Sequence, residues 1–384
     1  MKQFLTIIAV LCTLTACFND EDKEVDRIIM VYMANDNTGS LYIDQRSDIY
    51  EMMEGTKNLT GDQKVVAFID SPRGMPYILE IANGDTTRVH QYQEALSSSD
   101  AAVMGDVLSW IINKYKAKSY GLVLWGHATG WEIMDNAAGS RQRKAYGIEH
   151  STQWMNIPDM ARELGRLPKL KFIFADCCCF QSIEVDYELR NVADYIIASA
   201  AEIPGEGAPY HTVVPALFGK GDDFYRPIVD AYFEQYNGYR EPMSVVKTCE
   251  LASLATATYE VLASFMPTLD SVYPNVQGLI YYYDDAFFDM NDFILRYADD
   301  NNYQEWRRSF DKAVVYKTMV TQWMTSSYYR HVDFRKFTVT EERYGGVSMF
   351  VAQNSTWNSF FIKLNETISR MQWYNAARLD SFGW

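Results

Sequence analysis

The chain has 384 residues, 48% of them hydrophobic and 22% charged, which is enough apolar material for a large core and excludes a disordered polypeptide. Its formal net charge of −15, from 35 Lys and Arg against 50 Asp and Glu, argues against a nucleic-acid backbone as partner, because phosphate binding needs clustered cations. Six cysteines, at 12, 17, 177, 178, 179 and 249, are too few for a disulfide scaffold in a chain of this length.

Residues 1–16 read as a targeting segment. Lys2 supplies the positive start, and Phe4 to Leu14 form an apolar run too short to span a bilayer. Leu14-Thr15-Ala16-Cys17 resembles a bacterial lipobox, which makes Cys17 the lipidated first residue of the mature chain and anchors it to a membrane. Residues 17–26, rich in Asp and Glu, are expected to form a solvated tether. An acidic patch directly after the lipidated Cys resembles the surface-export signal of Bacteroidetes lipoproteins. The expected location is therefore the cell envelope, on an outer-membrane lipoprotein exposed at the surface.

A first buried strand is predicted over 28–33, followed by a helix over 41–54 and a second strand over 64–70. Two shorter strands, 76–82 and 87–92, make a hairpin through Asn83-Gly84-Asp85. Val103, Met104, Val107, Leu108, Ile111 and Ile112 recur at helical spacing within 101–118. Leu122-Val123-Leu124-Trp125-Gly126 is a buried strand that runs into His127, and 132–156 reads as irregular, with an exposed basic loop from Gly139 to Lys144. A helix over 157–166 leads to the strand Phe172-Ile173-Phe174-Ala175, which runs into Asp176-Cys177-Cys178-Cys179. A helix over 180–191 and a strand over 194–200 follow. This alternation predicts an α/β fold with a mostly parallel central sheet flanked by helices and right-handed crossovers. Helical stretches over 248–265, 286–299 and 303–323 carry many aromatics, and 345–351 reads as one more strand. The expected division is 27–240 as one domain, with 241–384 as a helical, aromatic-rich region packed against it.

In open α/β sheets, chemistry gathers at the carboxyl ends of the strands. Of the five histidines, at 90, 127, 150, 211 and 331, only His127 lies at such an end. A thiol attacks as thiolate, and a nearby imidazole both lowers its pKa and later protonates a leaving amine. The residues alone leave two readings of His127 open: the base of a thiol nucleophile, or a strand-capping His satisfied by hydrogen bonds. The Ala128-Thr129-Gly130 turn offers backbone N–H groups, Ala128 first, to an oxyanion. Adjacent cysteines do not meet disulfide geometry, and their spacing is not that of zinc ligands, so no metal site is expected. A strand-like continuation through 177–179 would turn Cys177 and Cys179 to the face opposite Cys178 and leave a single reactive thiol.

Trp125-Gly126-His127-Ala128-Thr129-Gly130-Trp131 is similar to the W-G-H-G-S-G-W motif of the clostripain family of cysteine peptidases. Asp176-Cys177-Cys178-Cys179-Phe180, with Glu184, resembles that family's D-A-C-L-M-x-x-x-E motif. Ile29 to Asn37 resembles its opening strand and turn, and Ala198-Ser199 with Pro204-Gly205-Glu206-Gly207 and Tyr210 its A-S…P-G-x-G-x-x-Y segment. Gly346 to Phe350 resembles a late G-L-S-I-Y strand. The resemblance implies a caspase-like fold and an endopeptidase that cleaves after Arg or Lys through an acyl-thioester. Carried over by motif position, His127 is general base and acid, and Cys178, third in the D-x-C register, is the nucleophile. Asp176 and Glu206 are the carboxylates of the S1 pocket. Family members are often cleaved between the His and Cys strands, which makes Arg141, Arg143 and Lys144 candidate autoprocessing sites. Ala128 departs from the family's Gly, Phe180 from Met, and Ala208 stands where an aromatic is usual. No cofactor is required from the sequence. Calcium dependence occurs in the family, although no EF-hand-type loop is present here. The expected partners are peptides or proteins with a basic P1 residue and, through the lipid, the outer membrane; no nucleic acid is expected, and the chain is expected to be a monomer. The competing expectation is a catalytically silent caspase-like lipoprotein that binds peptide or glycan through its 27 Tyr and 20 Phe.

Overall fold

In the strand β1 (Ile28–Ala34), Ile28, Met30 and Tyr32 join the core on one face, and Ile29, Val31 and Met33 join the core on the other. A strand apolar on both faces belongs inside a sheet covered on both sides. The computed structural model describes residues 24–35, 41–60, 62–70, 72, 74–133, 146–149, 153–236, 241–283, 286–325, 332–354 and 359–384. After β1 come α1 (Leu41–Thr56), β2 (Lys64–Ile69), β3 (Tyr77–Ala82), β4 (Asp85–Gln91), α2 (Ala101–Lys114) and β5 (Tyr120–Gly126). Next are the short strands β6 (Tyr146–Glu149) and β7 (Gln153–Met155), then α3 (Ile157–Leu164), β8 (Phe172–Asp176), α4 (Ile183–Glu188) and β9 (Tyr195–Ser199). The chain continues through α5 (Tyr210–Leu217), α6 (Arg226–Gln235), β10 (Met243–Lys247), α7 (Leu251–Phe265), β11 (Phe287–Asp289) and α8 (Met290–Tyr297). It closes with α9 (Asp300–Ala313), β12 (Val314–Lys317), β13 (Ser348–Phe350), α10 (Ser359–Thr367) and α11 (Gln372–Ala376).

Nine strands form the main sheet in the order β12-β10-β9-β8-β5-β1-β2-β3-β4. Its centre, β9-β8-β5-β1-β2, is parallel, and an antiparallel pair extends it at each edge. The β3–β4 hairpin turns on Asn83 and Gly84, both at positive φ, which suits the twist of a two-residue connection. One face is covered by α1, α5 and α6, through Met52, Val213, Leu217 and Ile228. The other is covered by α2, α3, α4 and α7, together with the aromatic-rich C-terminal third.

The structure differs from the sequence expectation in four places. The interval 132–156 contains the β6–β7 hairpin, paired Tyr146 to Met155. The helix expected over 180–191 starts only at Ile183, because Cys179 and Gln181 donate their N–H groups to the Ala201 and Ser199 carbonyls and hold the chain against the end of β9. The helix expected over 286–299 opens as β11, where Phe287 and Phe288 pair with Phe350 and Met349 of β13. The helix expected over 303–323 stops at Ala313. Its β-branched continuation, Val314-Val315-Tyr316, is instead edge strand β12 on β10. The sheet is therefore continuous across residue 240, with two of its strands supplied by the region beyond.

Candidate active site

Strand register places the carboxyl ends of β1, β5 and β8 side by side: Met33 pairs with Trp125, and Trp125 with Asp176. His127 and Cys178 each lie two residues beyond that line, on neighbouring parallel strands. Gly126 carries φ +140°, and a Cβ there would lie 2.8 Å from the Ala34 carbonyl oxygen, so only glycine lets the chain pass β1 into His127. From β6, the Tyr146 hydroxyl sits 3.0 Å and 3.1 Å from the Tyr32 and Trp125 carbonyl oxygens, and the Gly147 N–H donates to the His127 carbonyl at 2.8 Å. Gly130, at φ +73°, brings the His127 loop onto the cysteine turn: a Cβ there would be 2.7 Å from the Cys179 carbonyl oxygen. Trp131 then packs edge-on against Phe350.

The cysteines do not continue the strand. β8 ends at Asp176, the chain turns, and Cys179 adopts a left-handed φ of +54° with its N–H bound to the Ala201 carbonyl. The turn, rather than strand alternation, separates the thiols. Cys177 and Cys179 are buried among apolar side chains, while Cys178 is half-buried and reaches the surface. Its Sγ accepts from the Ile203 N–H at 3.4 Å. Burial pushes the Cys178 thiol up to about 12, the carboxylates of Glu202, Glu241 and Asp176 add to the rise, and the Ile203 bond opposes it. The resting thiol is neutral and needs a base to become a nucleophile.

Asp176 turns to the α5–α6 side of the sheet. Its Oδ2 accepts from the Ala208 N–H at 3.0 Å and the Tyr210 hydroxyl at 2.7 Å, and the Tyr232 hydroxyl lies 3.4 Å from Oδ1. Burial raises its pKa to about 6 despite these bonds. Ala208, in place of an aromatic, is fully buried and holds Asp176 through its backbone. Glu206 is exposed in the same loop and acts on Asp44 of α1, whose pKa rises first through burial and then through Glu206.

Two buried carboxylates escaped the sequence reading. Asp48 of α1 is 1% exposed and accepts from the Trp125 Nε1 at 2.6 Å; burial, then Asp176, raises it to about 9. Its signal was present, since Leu41, Gln45, Asp48 and Met52 form the inward stripe of α1, two of them polar. Glu241, just before β10, is 1% exposed, and its Oε2 has no hydrogen-bond partner among the described residues. Burial raises Glu241 to about 9, and Asp176 and Glu202 add to it. Nothing local marked Glu241, because only the sheet brings β10 toward Asp176.

Ala128 is buried and pairs with Tyr146 through the flanking Gly147–His127 bond; among the described residues no bond takes up its N–H. Arg141, Arg143, Lys144 and Cys17 lie outside the described residues. Among the described residues no three His, Cys, Asp or Glu side chains gather to hold a cation. No described helix is long and apolar enough to cross a membrane.

A secreted C11 cysteine protease from Bacteroides thetaiotaomicron, solved with an irreversible peptide inhibitor, matches 93% of this chain and 99% of its own at 27% identity and TM-score 0.77. An inactive zymogen C11 protease from Parabacteroides distasonis matches 92% of this chain and 99% of its own at 26% identity and TM-score 0.74. No curated protein matches the chain in sequence. The profile of the clostripain family covers residues 31–382, almost all of the α/β fold and the C-terminal third together. The chain belongs to the clostripain family and is a cysteine peptidase, a hydrolase.

Proposed function

We propose that this peptidase is an endopeptidase that cleaves after Arg or Lys, with Cys178 as nucleophile and His127 as general base and acid. The observation that carries the reading is that Cys178 alone of three adjacent thiols reaches the surface, beyond β8, next to the strand that ends in His127. His127 takes the Cys178 proton as Sγ bonds to the substrate carbonyl carbon, and the Ala128 N–H donates to the oxygen that becomes negative. As the C–N bond breaks, His127 passes that proton to the leaving amine. Water then attacks the thioester, His127 receives its proton, and the freed thiol is restored as the carboxylic product leaves. Asp176 at the floor and Glu206 at the rim receive the cationic P1 side chain. Residues 134–145 carry Arg141, Arg143 and Lys144 as the chain's own cleavage points. Cys17 bears the lipid that holds a monomeric enzyme on the outer membrane, facing outward to its peptide and protein substrates.

Cys178→Ala is expected to lower hydrolysis of an Arg or Lys reporter peptide by about a thousandfold or more, while Cys177→Ala and Cys179→Ala keep it within about tenfold. Equal loss in all three variants would overturn the assignment of the nucleophile. Mass spectrometry after labelling with a basic chloromethyl ketone checks the same point by locating the adduct.

A further inference from the structure

A cavity lies on the same edge of the sheet as His127 and Cys178, and its charge is opposite to that of the chain as a whole. It encloses about 580 Å³ between α1 and the β3–β4 hairpin, and Tyr42, Arg46, Tyr77, Arg88, Gln91 and Tyr92 shape it. Among the described residues no Asp or Glu lines it, although the chain carries 50 acidic residues against 35 basic ones. The Arg88 guanidinium lies 4.1 Å from the Tyr77 ring centroid and donates to Gln91 at 2.7 Å. Arg46 and Arg88 are exposed, and among the described residues neither has a carboxylate partner. Burial raises the Tyr77 pKa, Tyr42 adds to the rise, and the positive charges of Arg88 and Arg46 oppose it. The cavity's glutamine amides are spent on the backbone, Gln45 on the Asp70 carbonyl and Gln91 on the Pro76 and Tyr92 carbonyls, so the guanidinium groups of Arg46 and Arg88, without a carboxylate among the described residues, are the donors left for an oxyanion.

Register fixes where this cavity stands relative to the reacting thiol. Tyr77 pairs with Ile69, Ile69 with Met33, Met33 with Trp125 and Trp125 with Asp176. Four strand spacings of about 4.8 Å put Tyr77 about 19 Å from Asp176 along the edge where Cys178 lies, and an extended peptide covers that in about five or six residues. We propose that the Arg46–Arg88–Tyr77 cavity is an exosite for an acidic side chain of the peptide substrate, about five or six residues from the scissile bond. A free phosphate shares the chemistry. A carboxylate on the substrate is favoured because the cavity opens on the catalytic edge at peptide reach. The proposal builds on cleavage after a basic residue, and its test separates the two.

Peptides with one Lys or Arg and a Glu at the fifth or sixth position before or after the bond are compared with Gln twins. For one placement the Glu peptide should show a KM about five- to tenfold lower at unchanged kcat, falling to parity in high salt. The double variant Arg46→Gln, Arg88→Gln should erase that difference and cleave a short basic reporter as the wild type does. Equal KM for all Glu and Gln twins in the wild type overturns the exosite, as does a preference that survives in the double variant. Inorganic phosphate that binds the wild type and not the double variant, without any Glu preference, overturns it in favour of a free-anion site. If the short basic reporter is not cleaved, the P1 reading has failed, and the exosite is then judged by anisotropy of the labelled Glu and Gln peptides bound to the protein. Tighter binding of Glu than Gln supports it; equal binding overturns it.

Discussion

In the C-terminal third, Asp289 and Asp292 are buried with their needs met inside the chain. Asp289 accepts from the Tyr282 hydroxyl and from the Gly345, Gly346 and Asp292 N–H groups, and Asp292 holds Arg343 through two bonds, at 2.6 Å and 2.7 Å. Arg343 in turn donates to the Thr338 and Gly278 carbonyls. At the sheet edge where His127 and Cys178 lie, Asp48, Asp176 and Glu241 are buried just as deeply, yet among the described residues no Lys or Arg pairs with any of them. Their bonds come from an indole, two phenols and a backbone N–H, and one Glu241 oxygen has none. Arg343 neutralises Asp292 when the chain folds, whereas Asp48, Asp176 and Glu241 are buried without a cation, which makes their ionised forms costly.

The largest effect is expected where the scaffold pair is broken. Asp292→Asn leaves Arg343 without its counter-charge and should cost about 3–5 kcal/mol of stability in denaturant titration, with Arg-over-neutral P1 selectivity unchanged in the protein that remains folded. Asp176→Asn should do the reverse: kcat/KM for an Arg or Lys reporter falls about a hundredfold, and stability does not drop. That asymmetry has a pH signature. The Asp176 pKa rises on folding from the carboxylate range to about 6, so the folded state binds more protons in that window and loses stability as pH climbs through it. Asp48, Glu184 and Glu241, raised on folding as well, give slopes of the same sign, so Asp176→Asn should lessen the slope between about pH 4 and 6 by one proton's share rather than remove it. A loss of stability in Asp176→Asn comparable to that in Asp292→Asn would erase the distinction between the two regions.

Sequence patterning carried the strands that frame the candidate site and missed parts of the fold around them for physical reasons. The side-by-side ends of β5 and β8 were legible because both are short apolar runs bounded by polar residues, and parallel pairing brings those ends together. The greater exposure of Cys178 than of Cys177 and Cys179 follows from the sequence only by alternation; its cause is a turn with Cys179 in the left-handed region, which a three-cysteine string does not announce. Asp48 was readable as a polar residue on the buried stripe of α1. Glu241 was not, since its meaning comes from β10 docking antiparallel on β9, a long-range pairing without a local signature. The same holds for β12: Val314 to Lys317 is too short and too close to α9 to separate by period from a helix end.

Glu241 and Glu184 give the finest test of the comparison, because both are buried acids with one oxygen lacking a partner among the described residues. Glu184 sits behind the cysteine turn, where burial raises it to about 7 and its other oxygen accepts from the Phe350 N–H at 2.8 Å, tying α4 to β13. Glu241 is raised further, to about 9, and faces Asp176 and Glu202. Near neutral pH in the free protein Glu241 is therefore protonated. A cation placed beside it favours the ionised form, so binding of a basic P1 side chain should expel a proton between about pH 6 and 9. Calorimetry of a basic peptide on the Cys178→Ala protein, repeated in buffers of different ionisation enthalpy, should show that release, which strengthens affinity as pH rises. Glu241→Gln should lower the release, leaving only what Asp48 contributes, and raise the dissociation constant by about fivefold. Glu184→Gln keeps an oxygen for the Phe350 N–H and should leave proton release and affinity unchanged, shifting the melting temperature by only about 2 °C. Proton release that vanishes in Glu184→Gln and persists in Glu241→Gln would place the waiting charge behind the nucleophile instead of beneath the P1 side chain.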